Sequence, residues 1–290
     1  MRQPRHAGSF YSAGEQTLRK QIEDCFLGKR GPGALPSGKR TNDKLRAIIA
    51  PHAGYAYSGQ AAAWSYLKLS EAPRPSVYII LAPSHHSNKS GTTNEAFITP
   101  LGEVRVDQEL NRKILEKGTI KLNDAIHEQE HSIEVQLPFL QFINQGEEEK
   151  IKILPILVSD DLDTKQLALD IKESLLETNK EALLIVSSDF THHGPAYNHV
   201  QFSHDVQKQI IEFDKKAIDF ITAQDPKGFI DFINDELASI CGALPIKLLL
   251  ELLKPCKVTL EQYYTSADLF EKKEDKKNSV SYAAIVFEEE

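Results

Sequence analysis

Short apolar runs recur along the chain, and their pattern predicts buried β-strands. Four of them consist mostly of Ile, Val and Leu without polar alternation, and they occupy residues 45–50, 76–82, 151–158 and 182–188. A strand with one face in water alternates apolar and polar residues, whereas a strand covered on both faces is a continuous apolar run. The four runs therefore predict the central strands of a mainly parallel sheet.

Amphipathic patterns typical of helices fill the intervals between these runs. The clearest occupy residues 60–69, 108–118, 132–143 and 163–177, and Asp163 stands where the N-cap of the last one belongs. Strands that alternate with helices predict an α/β fold, in which helices cover both faces of a mainly parallel central sheet.

Further patterns complete the predicted fold. Residues 96–100 and 103–107 predict a hairpin beside the sheet. After residue 200 the patterns predict three helices and then two final strands, at residues 204–221, 226–237, 245–254, 257–266 and 279–288. The Gly- and Pro-rich segment 28–43 predicts an exposed loop, which lies too close to the N-terminus to separate two domains. We therefore expect a single domain over residues 1–290.

Composition and charge narrow the class of protein. The chain is 41% hydrophobic and 26% charged, as in an ordinary soluble globular protein. Its formal net charge of -8 argues against a nucleic-acid partner, because phosphate binding depends on clustered Lys and Arg. Residues 271–279 interleave acidic and basic side chains, which is typical of a solvated loop. Residues 1–11 lack the apolar core of a signal peptide. No run approaches the roughly 18 apolar residues of a membrane span. Three cysteines are too few for a disulfide framework. We therefore expect a reduced, cytoplasmic protein without membrane contact.

Imidazole and carboxylate side chains cluster directly after three of the predicted strands. These residues are His52, His85, His86, Asp189, His192 and His193. Sites in open α/β sheets form in the crevice beyond the carboxyl ends of the strands. A lone His after a strand is ordinarily a hydrogen-bonded loop residue, but three such loops on one sheet edge favour an active or metal site. In each His doublet we expect only one ring to face inward.

The segment 127–139 adds two candidates. His131 and Glu134 lie three residues apart, so both could reach one site from the start of a helix, although a simple helix cap explains the same pattern. The remaining histidines have polar neighbours and are expected at the surface: His127, His199 and His204. Residues 6–11 carry two aromatic residues that could fold over the mouth of a pocket.

Cys241 precedes a predicted helix at residues 242–253 and has three interpretations: core filler, a nucleophile paired with His, or a metal ligand. A helix N-terminus lowers a thiol pKa, which favours both reactive roles. The chain contains no Gly-x-Ser-x-Gly, Gly-x-Gly-x-x-Gly or Walker motif, so a Ser hydrolase and a nucleotide cofactor are not expected. Two imidazoles with a thiolate suit iron, zinc or copper, and the sequence does not choose among these metals.

Seven motifs in order resemble the Memo family. They are HAGSFY, IIAPHAGYAYSG, APSHH, EHSIEVQLPFL, SSDFTHHG, ICGALPI and SVSYAA, and they cover residues 5–287, which makes residues 1–290 a single Memo-like domain. The resemblance implies the fold of class III extradiol dioxygenases, which use non-haem iron(II). It matches His52 and His85 to the two metal-binding histidines and places Cys241 where those enzymes have a glutamate. Asp189 and His192 match pocket residues, with His192 near the acid–base histidine.

The same resemblance suggests what surrounds the metal. Phe10 and Tyr57 match aromatic residues that line the Memo pocket, although the family usually has Trp at the position of Phe10. We expect His131 to line the same pocket and contact a bound cofactor or ligand. In prokaryotes the family is often encoded beside radical SAM and AMMECR-type proteins, which are candidate partners.

Three functions follow as hypotheses. The first is a metal-binding redox protein or oxidoreductase with iron(II), or with copper or zinc, in which His192 moves protons and Asp189 orients it. The second is an adaptor that binds a phosphotyrosine peptide or another anionic ligand in the same pocket, as reported for one animal member. The third is a zinc hydrolase. A small molecule or a peptide is the expected ligand.

Overall fold

The computed structural model describes residues 1–269 and 277–289. The larger part of the predicted solvated loop, residues 271–276, lies outside the described residues. The strands are β1 (Leu45–Ala50), β2 (Val77–Pro83), β3 (Gly91–Thr92), β4 (Phe97–Thr99), β5 (Gly102–Val106), β6 (Lys152–Val158), β7 (Ala182–Ser187), β8 (His192–His193), β9 (Lys257–Thr265) and β10 (Ser279–Glu288). The helices are α1 (Glu15–Leu27), α2 (Tyr55–Glu71), α3 (Gln108–Lys117), α4 (Asp124–Glu128), α5 (Gln136–Ile143), α6 (Thr164–Thr178), α7 (Val206–Thr222), α8 (Pro226–Asp235) and α9 (Ala243–Leu252).

The strands described here form one mixed sheet in the order β4-β5-β6-β2-β7-β1-β10-β8, with β3 paired to β6 and β9 paired to β10. Its centre is parallel, because β5, β6, β2, β7 and β1 all run in one direction. The remaining pairings, including β1 with β10, are antiparallel. The carboxyl ends of β1, β2 and β7 therefore lie side by side.

The continuous apolar runs are explained by helices on both faces of the sheet. All seven residues of β2 are buried, and they alternate between two cores. Ile80 packs in the core beneath α1, α2 and α5, whereas Ile79 packs in the core beneath α3 and α6 to α9. A central strand of this kind has no solvent face, which is why its sequence shows no polar alternation.

Most of the elements predicted from the sequence are confirmed, with bounds that shift by a few residues. Asp163 does cap α6, since its side chain accepts a hydrogen bond from the Gln166 N–H. The predicted hairpin is β4 and β5, and β5 also continues the parallel sheet against β6. Segment 28–43 contains no buried residue, as expected of an exposed loop.

Two predictions of local structure need correction. The helix expected at residues 132–143 begins only at Gln136, because the preceding residues form turns that bring several backbone N–H groups toward Glu130. Helix α1 was not predicted, although its buried residues Leu18, Ile22 and Phe26 follow helical spacing. Among the described residues, no helix is both long and apolar enough to cross a bilayer. A single domain over residues 1–290 stays a prediction.

Candidate metal centre

The ends of the central strands bring together the three residues expected to bind metal. His52 follows β1 and His85 follows β2, while Cys241 precedes α9. One ligand atom from each residue lies within 4.8 Å of the other two. Three donors at this separation fit the first coordination shell of a single metal ion whose remaining positions are open.

The tautomer of His52 follows from its neighbours. Its Nδ1 lies 2.8 Å from Oγ of Ser187. That hydroxyl donates its one proton to the carbonyl of Ser132 at 2.6 Å and accepts from Nε2 of Gln136 at 2.7 Å. It can therefore only accept from His52, so Nδ1 carries the proton and Nε2 carries the free lone pair. His52 is 2% exposed, and this burial lowers its pKa well below the usual range and keeps the ring neutral.

His85 is oriented in a similar way, but by a carboxylate. Its Nδ1 lies 2.8 Å from Oε1 of Glu130. Burial alone would raise the pKa of Glu130, but the hydrogen bond and charge of His85 lower it, so Glu130 is ionised and accepts. Burial alone would lower the pKa of His85, but hydrogen bonds to Cys241 and Glu130 raise it to about 10. Nδ1 is thus committed to Glu130, and Nε2 is the nitrogen left to face Cys241.

Cys241 reaches the two imidazoles through a close approach of its loop to the end of β7. Its Sγ lies 3.3 Å from Nε2 of His52 and 3.5 Å from the carbonyl oxygen of Asp189. The next residue, Gly242, donates its N–H to Oγ of Ser188 at 3.1 Å, and a Cβ at that position would collide with the Ser188 side chain. Burial raises the pKa of the Cys241 thiol, so the expectation that the helix start lowers it is wrong for the metal-free protein.

A second group of possible ligands, His85, Glu130 and His131, also lies within 4.8 Å. The carboxylate of Glu130 is already engaged, because its two oxygens accept hydrogen bonds from the His85 ring and from three backbone N–H groups. We therefore interpret this group as a hydrogen-bonded support of the first one.

A cavity of about 420 Å³ adjoins the donor cluster. Its lining consists of Phe10, Ala53, Gly54, Tyr57, His131, Asp189, His192, Tyr197, Ser266, Asn278, Val280 and Tyr282. The residues predicted to line a pocket and the two predicted catalytic residues thus meet in one cavity. His131 connects cavity and cluster, since its ring centroid lies 5.3 Å from that of His52 and 4.7 Å from those of His85 and Phe10.

The N-terminal segment forms part of this wall, as its aromatic residues suggested. Phe10 packs against His6 at 5.2 Å between ring centroids. The segment is anchored by Arg2, which is buried and forms an ion pair with Glu134 at 2.6 Å. The hydroxyl of Tyr11 donates to the same carboxylate at 2.5 Å. Glu134 therefore holds the N-terminus in place and does not line the site with His131.

The partner expected for His192 is wrong. Its Nδ1 lies 2.9 Å from the carbonyl oxygen of Phe190 and 3.0 Å from that of Ser239. Carbonyls only accept, so Nδ1 is protonated and Nε2 is the basic nitrogen. Asp189 instead accepts the backbone N–H groups of His52 at 2.8 Å and Ala53 at 3.3 Å. Burial raises the pKa of Asp189.

The other histidines divide between the surface and the core. His86 and His204 are exposed and His199 is partly exposed, as expected. His193 is buried and stacks on Phe202 with centroids 5.7 Å apart, so it faces neither solvent nor the cavity. The expectation for His127 is wrong, because it is 2% exposed. Arg2 covers it by donating to its carbonyl at 2.5 Å.

Sequence reasoning missed four residues that shape the site: Glu130, Ser187, Tyr197 and Tyr282. Glu130, Ser187 and Tyr282 lie inside motifs that drew attention for other residues, and Ser187 also belongs to the strand predicted at residues 182–188. The signal for Glu130 was a carboxylate directly before a His in a polar segment. For Tyr197, which follows the His doublet by four residues, the sequence offered no comparable signal.

Comparison with known proteins agrees with the motifs. The family model described as Memo-like protein matches residues 2–286. MEMO1 family proteins from Methanopyrus kandleri and Sulfolobus acidocaldarius are each 36% identical, and one from Methanothermobacter thermautotrophicus is 33% identical, with 98–99% of each chain covered. A crystal structure of an uncharacterized protein from Escherichia coli K12 is similar at a TM-score of 0.46 and 12% identity, covering 83% of this chain and 99% of that one. The match over almost all of its length shows that the chain belongs to the Memo family.

Proposed function

We propose that this protein is a metal-binding redox protein that holds iron(II) through His52, His85 and Cys241. One observation carries the proposal: the three donor atoms lie within 4.8 Å, and the Nδ1 atoms of both imidazoles are already occupied by hydrogen-bond acceptors. Rings held in this way direct Nε2 toward the metal position, as in metal-ligating histidines. Nε2 of the neutral His52 already carries a lone pair, whereas His85, whose pKa is raised to about 10, must lose its Nε2 proton when metal binds.

The chemistry of the donors supports a redox metal. Imidazole binds iron, copper and zinc, and a thiolate is softer than the carboxylate that it replaces in the related dioxygenases, so it donates more charge. Iron(II) held by these residues would supply one-electron chemistry at its open coordination positions. Loading requires Cys241 to lose a proton, because burial keeps its thiol protonated in the metal-free protein.

The adjoining cavity supports a role for the chain's own residues in binding a ligand. Phe10, Tyr57, Tyr197 and Tyr282 offer aromatic walls for a planar or peptide ligand. His192 holds Nδ1 against two carbonyl oxygens, so Nε2 is the nitrogen left to exchange a proton with such a ligand. We propose that these residues orient a small molecule or peptide beside the metal.

The adaptor hypothesis finds less support in the cavity. Asp189 is a carboxylate in the described lining, so a phosphate dianion placed against that wall would meet a like charge when Asp189 is ionised. The aromatic walls suit a peptide, so a neutral tyrosine peptide is the form of this hypothesis that the lining favours. A zinc hydrolase would use the same donors as the iron protein, so only the identity and behaviour of the metal separate those two.

The test is to purify the protein anaerobically, remove metal, reload iron(II), copper(I) or zinc(II), and record metal content and voltammetry. The proposal predicts a single iron per chain with a reversible redox wave. Zinc binding without reversible redox of iron or copper would overturn it in favour of the hydrolase. Equal binding of a tyrosine phosphopeptide by metal-free and metal-loaded protein would favour the adaptor.

We also propose a cytoplasmic location, because three cysteines are too few for a disulfide framework. Radical SAM and AMMECR-type proteins are proposed partners on family context. Co-purification with tagged versions of those proteins from one host would test this.

A further inference from the structure

We propose that Glu130 is a positioning residue that fixes the ring of His85 for metal binding and increases its donor strength. This inference rests on the proposed metal site. It assigns a role to a buried carboxylate that is not among the residues lining the cavity, although it accepts from the backbone N–H of one of them, His131.

Glu130 holds the ring and the backbone of His85 at the same time. Its Oε1 accepts from Nδ1 of His85 at 2.8 Å, and its Oε2 accepts from the His85 backbone N–H at 2.6 Å. Oε1 also accepts from the backbone N–H groups of His131 and Ser132, each at 3.0 Å. The carboxylate is only 2% exposed. The angle of the ring to its own backbone is therefore set by one rigid group.

This arrangement disfavours a second metal ion on Oε1 of the carboxylate. An ionised carboxylate offers about four lone-pair positions. Four N–H groups already point at Glu130, from the His85 ring and from the backbones of His85, His131 and Ser132. Three of them point at Oε1, so a metal ion bound there would have to displace at least one and leave a buried donor unpaired.

The two candidate ligand histidines differ in the group that accepts their Nδ1–H. His52 donates to the neutral hydroxyl of Ser187, whereas His85 donates to a carboxylate. A carboxylate acceptor pulls the Nδ1 proton more strongly and places more electron density on Nε2. His85 should therefore be the stronger imidazole donor, although its side chain is the more exposed of the two.

The test compares zinc affinity in wild type and Glu130→Gln by competition with a chelator, at a temperature where both are folded. Gln removes the charge and places an N–H₂ group opposite one of the N–H groups from which Glu130 accepts a hydrogen bond. Partner residues of this kind typically contribute about 10–100-fold to metal affinity, so the dissociation constant should rise by about that factor. Glu130→Asp keeps the charge, so its zinc affinity should lie between those of wild type and Glu130→Gln. This variant carries the test if Glu130→Gln does not fold.

Glu134→Gln is the matched control. Glu134 is a buried carboxylate in the same segment, but it binds Arg2, Tyr11 and the His6 backbone and no candidate metal ligand. We expect this control to lower the unfolding temperature while zinc affinity stays at the wild-type value. Equal loss of affinity in both variants, or unchanged affinity in Glu130→Gln, would overturn the inference.

NMR of the metal-free protein separates failure of this inference from failure of the proposed function. A hydrogen-bonded Nδ1–H of His85 should resonate far downfield in wild type and move upfield in Glu130→Gln. Wild-type protein that shows this resonance but binds no metal would overturn the proposed metal site and, with it, the role of Glu130 in metal binding. Wild-type protein that binds metal without this resonance would overturn the positioning role alone.

Discussion

The Sγ atom of Cys241 lies 3.3 Å from Nε2 of His52, across a separation of 189 residues in the chain. Local structure cannot bring two residues so distant in sequence together, so their contact depends on the tertiary fold. The contact depends on the end of β1 and on the loop before α9, which approaches β7 at Gly242. Changes that widen this approach should therefore act on the metal site first.

Substituting Gly242 by Ala should displace Cys241. The added Cβ would overlap the side chain of Ser188 and lie 3.0 Å from the carbonyl oxygen of Ser187, so the loop must move away from β7. Such overpacking costs about 1–3 kcal/mol of unfolding free energy. We expect this loss in urea unfolding, together with a weaker metal affinity measured by competition.

Gly33→Ala provides the control for general destabilisation. Gly33 has a φ of 76°, which disfavours Ala, but no atom lies within 4 Å of the added Cβ. This variant should lose about 1–2 kcal/mol, the cost of an L-residue in the left-handed region, and keep the wild-type metal affinity. If Gly242→Ala also kept that affinity, the close approach at β7 would not be what places Cys241.

Breaking the ion pair between Arg2 and Glu134 should destabilise the whole N-terminal wall of the cavity. The two side chains are 3% and 0% exposed, so Arg2→Ala leaves a buried carboxylate without its cation. Removing one partner of a buried pair costs about 3–5 kcal/mol. Arg5→Ala should cost at most about 1 kcal/mol, because Arg5 and its partner Glu128 are 47% and 59% exposed.

Replacing both members of that pair checks the explanation. Arg2→Met combined with Glu134→Gln removes the buried charge as well as its partner, and should recover part of the stability lost in Arg2→Ala. Thermal and urea unfolding of the single and double variants make this comparison. Similar losses for Arg2→Ala and Arg5→Ala would mean that burial of the pair has no energetic consequence.

His127 should make the protein less stable in mild acid. Burial lowers its pKa to about 4, below the value of about 6.5 in an unfolded chain. The unfolded state therefore takes up the proton first, and stability that is fully present above pH 6.5 is lost as the pH falls toward 4. The full effect is about 3 kcal/mol.

Urea unfolding between pH 4 and pH 7 tests this with His127→Gln. Gln does not titrate in this range, so the acid-dependent loss of stability should be smaller in the variant by about that amount. His204→Gln, which replaces an exposed histidine, is the matched control variant. Parallel profiles for wild type and His127→Gln would contradict the prediction.

The position of the site could be predicted from the sequence because it depends on few elements. Continuous apolar runs identify β1, β2 and β7, and parallel strands place their carboxyl ends at one edge. Residues that directly follow those strands must then lie close together, which is why His52, His85 and Asp189 could be identified as candidate site residues.

Most of the supporting interactions could not be predicted, because each depends on a group that is distant in sequence, such as the His85 ring for Glu130 and the Arg2 side chain for His127. Glu130 is an acceptor for residues of two loops, and His127 is buried by a side chain from the N-terminus. Polar neighbours in sequence say nothing about such contacts. The direction of the pKa shift of Cys241 was also predicted wrongly, because burial raises this pKa and the sequence does not show how deeply the thiol is buried.

The most direct test of the metal site is a cobalt(II) titration followed by absorption spectroscopy. Wild type should develop a thiolate-to-cobalt charge-transfer band that saturates at one cobalt per chain. Cys241→Ser should lose this band, whereas Cys256→Ser, which removes another partly exposed thiol, should keep it. A band of wild-type intensity in Cys241→Ser, or none in wild type, would contradict the assignment of Cys241 as a metal ligand.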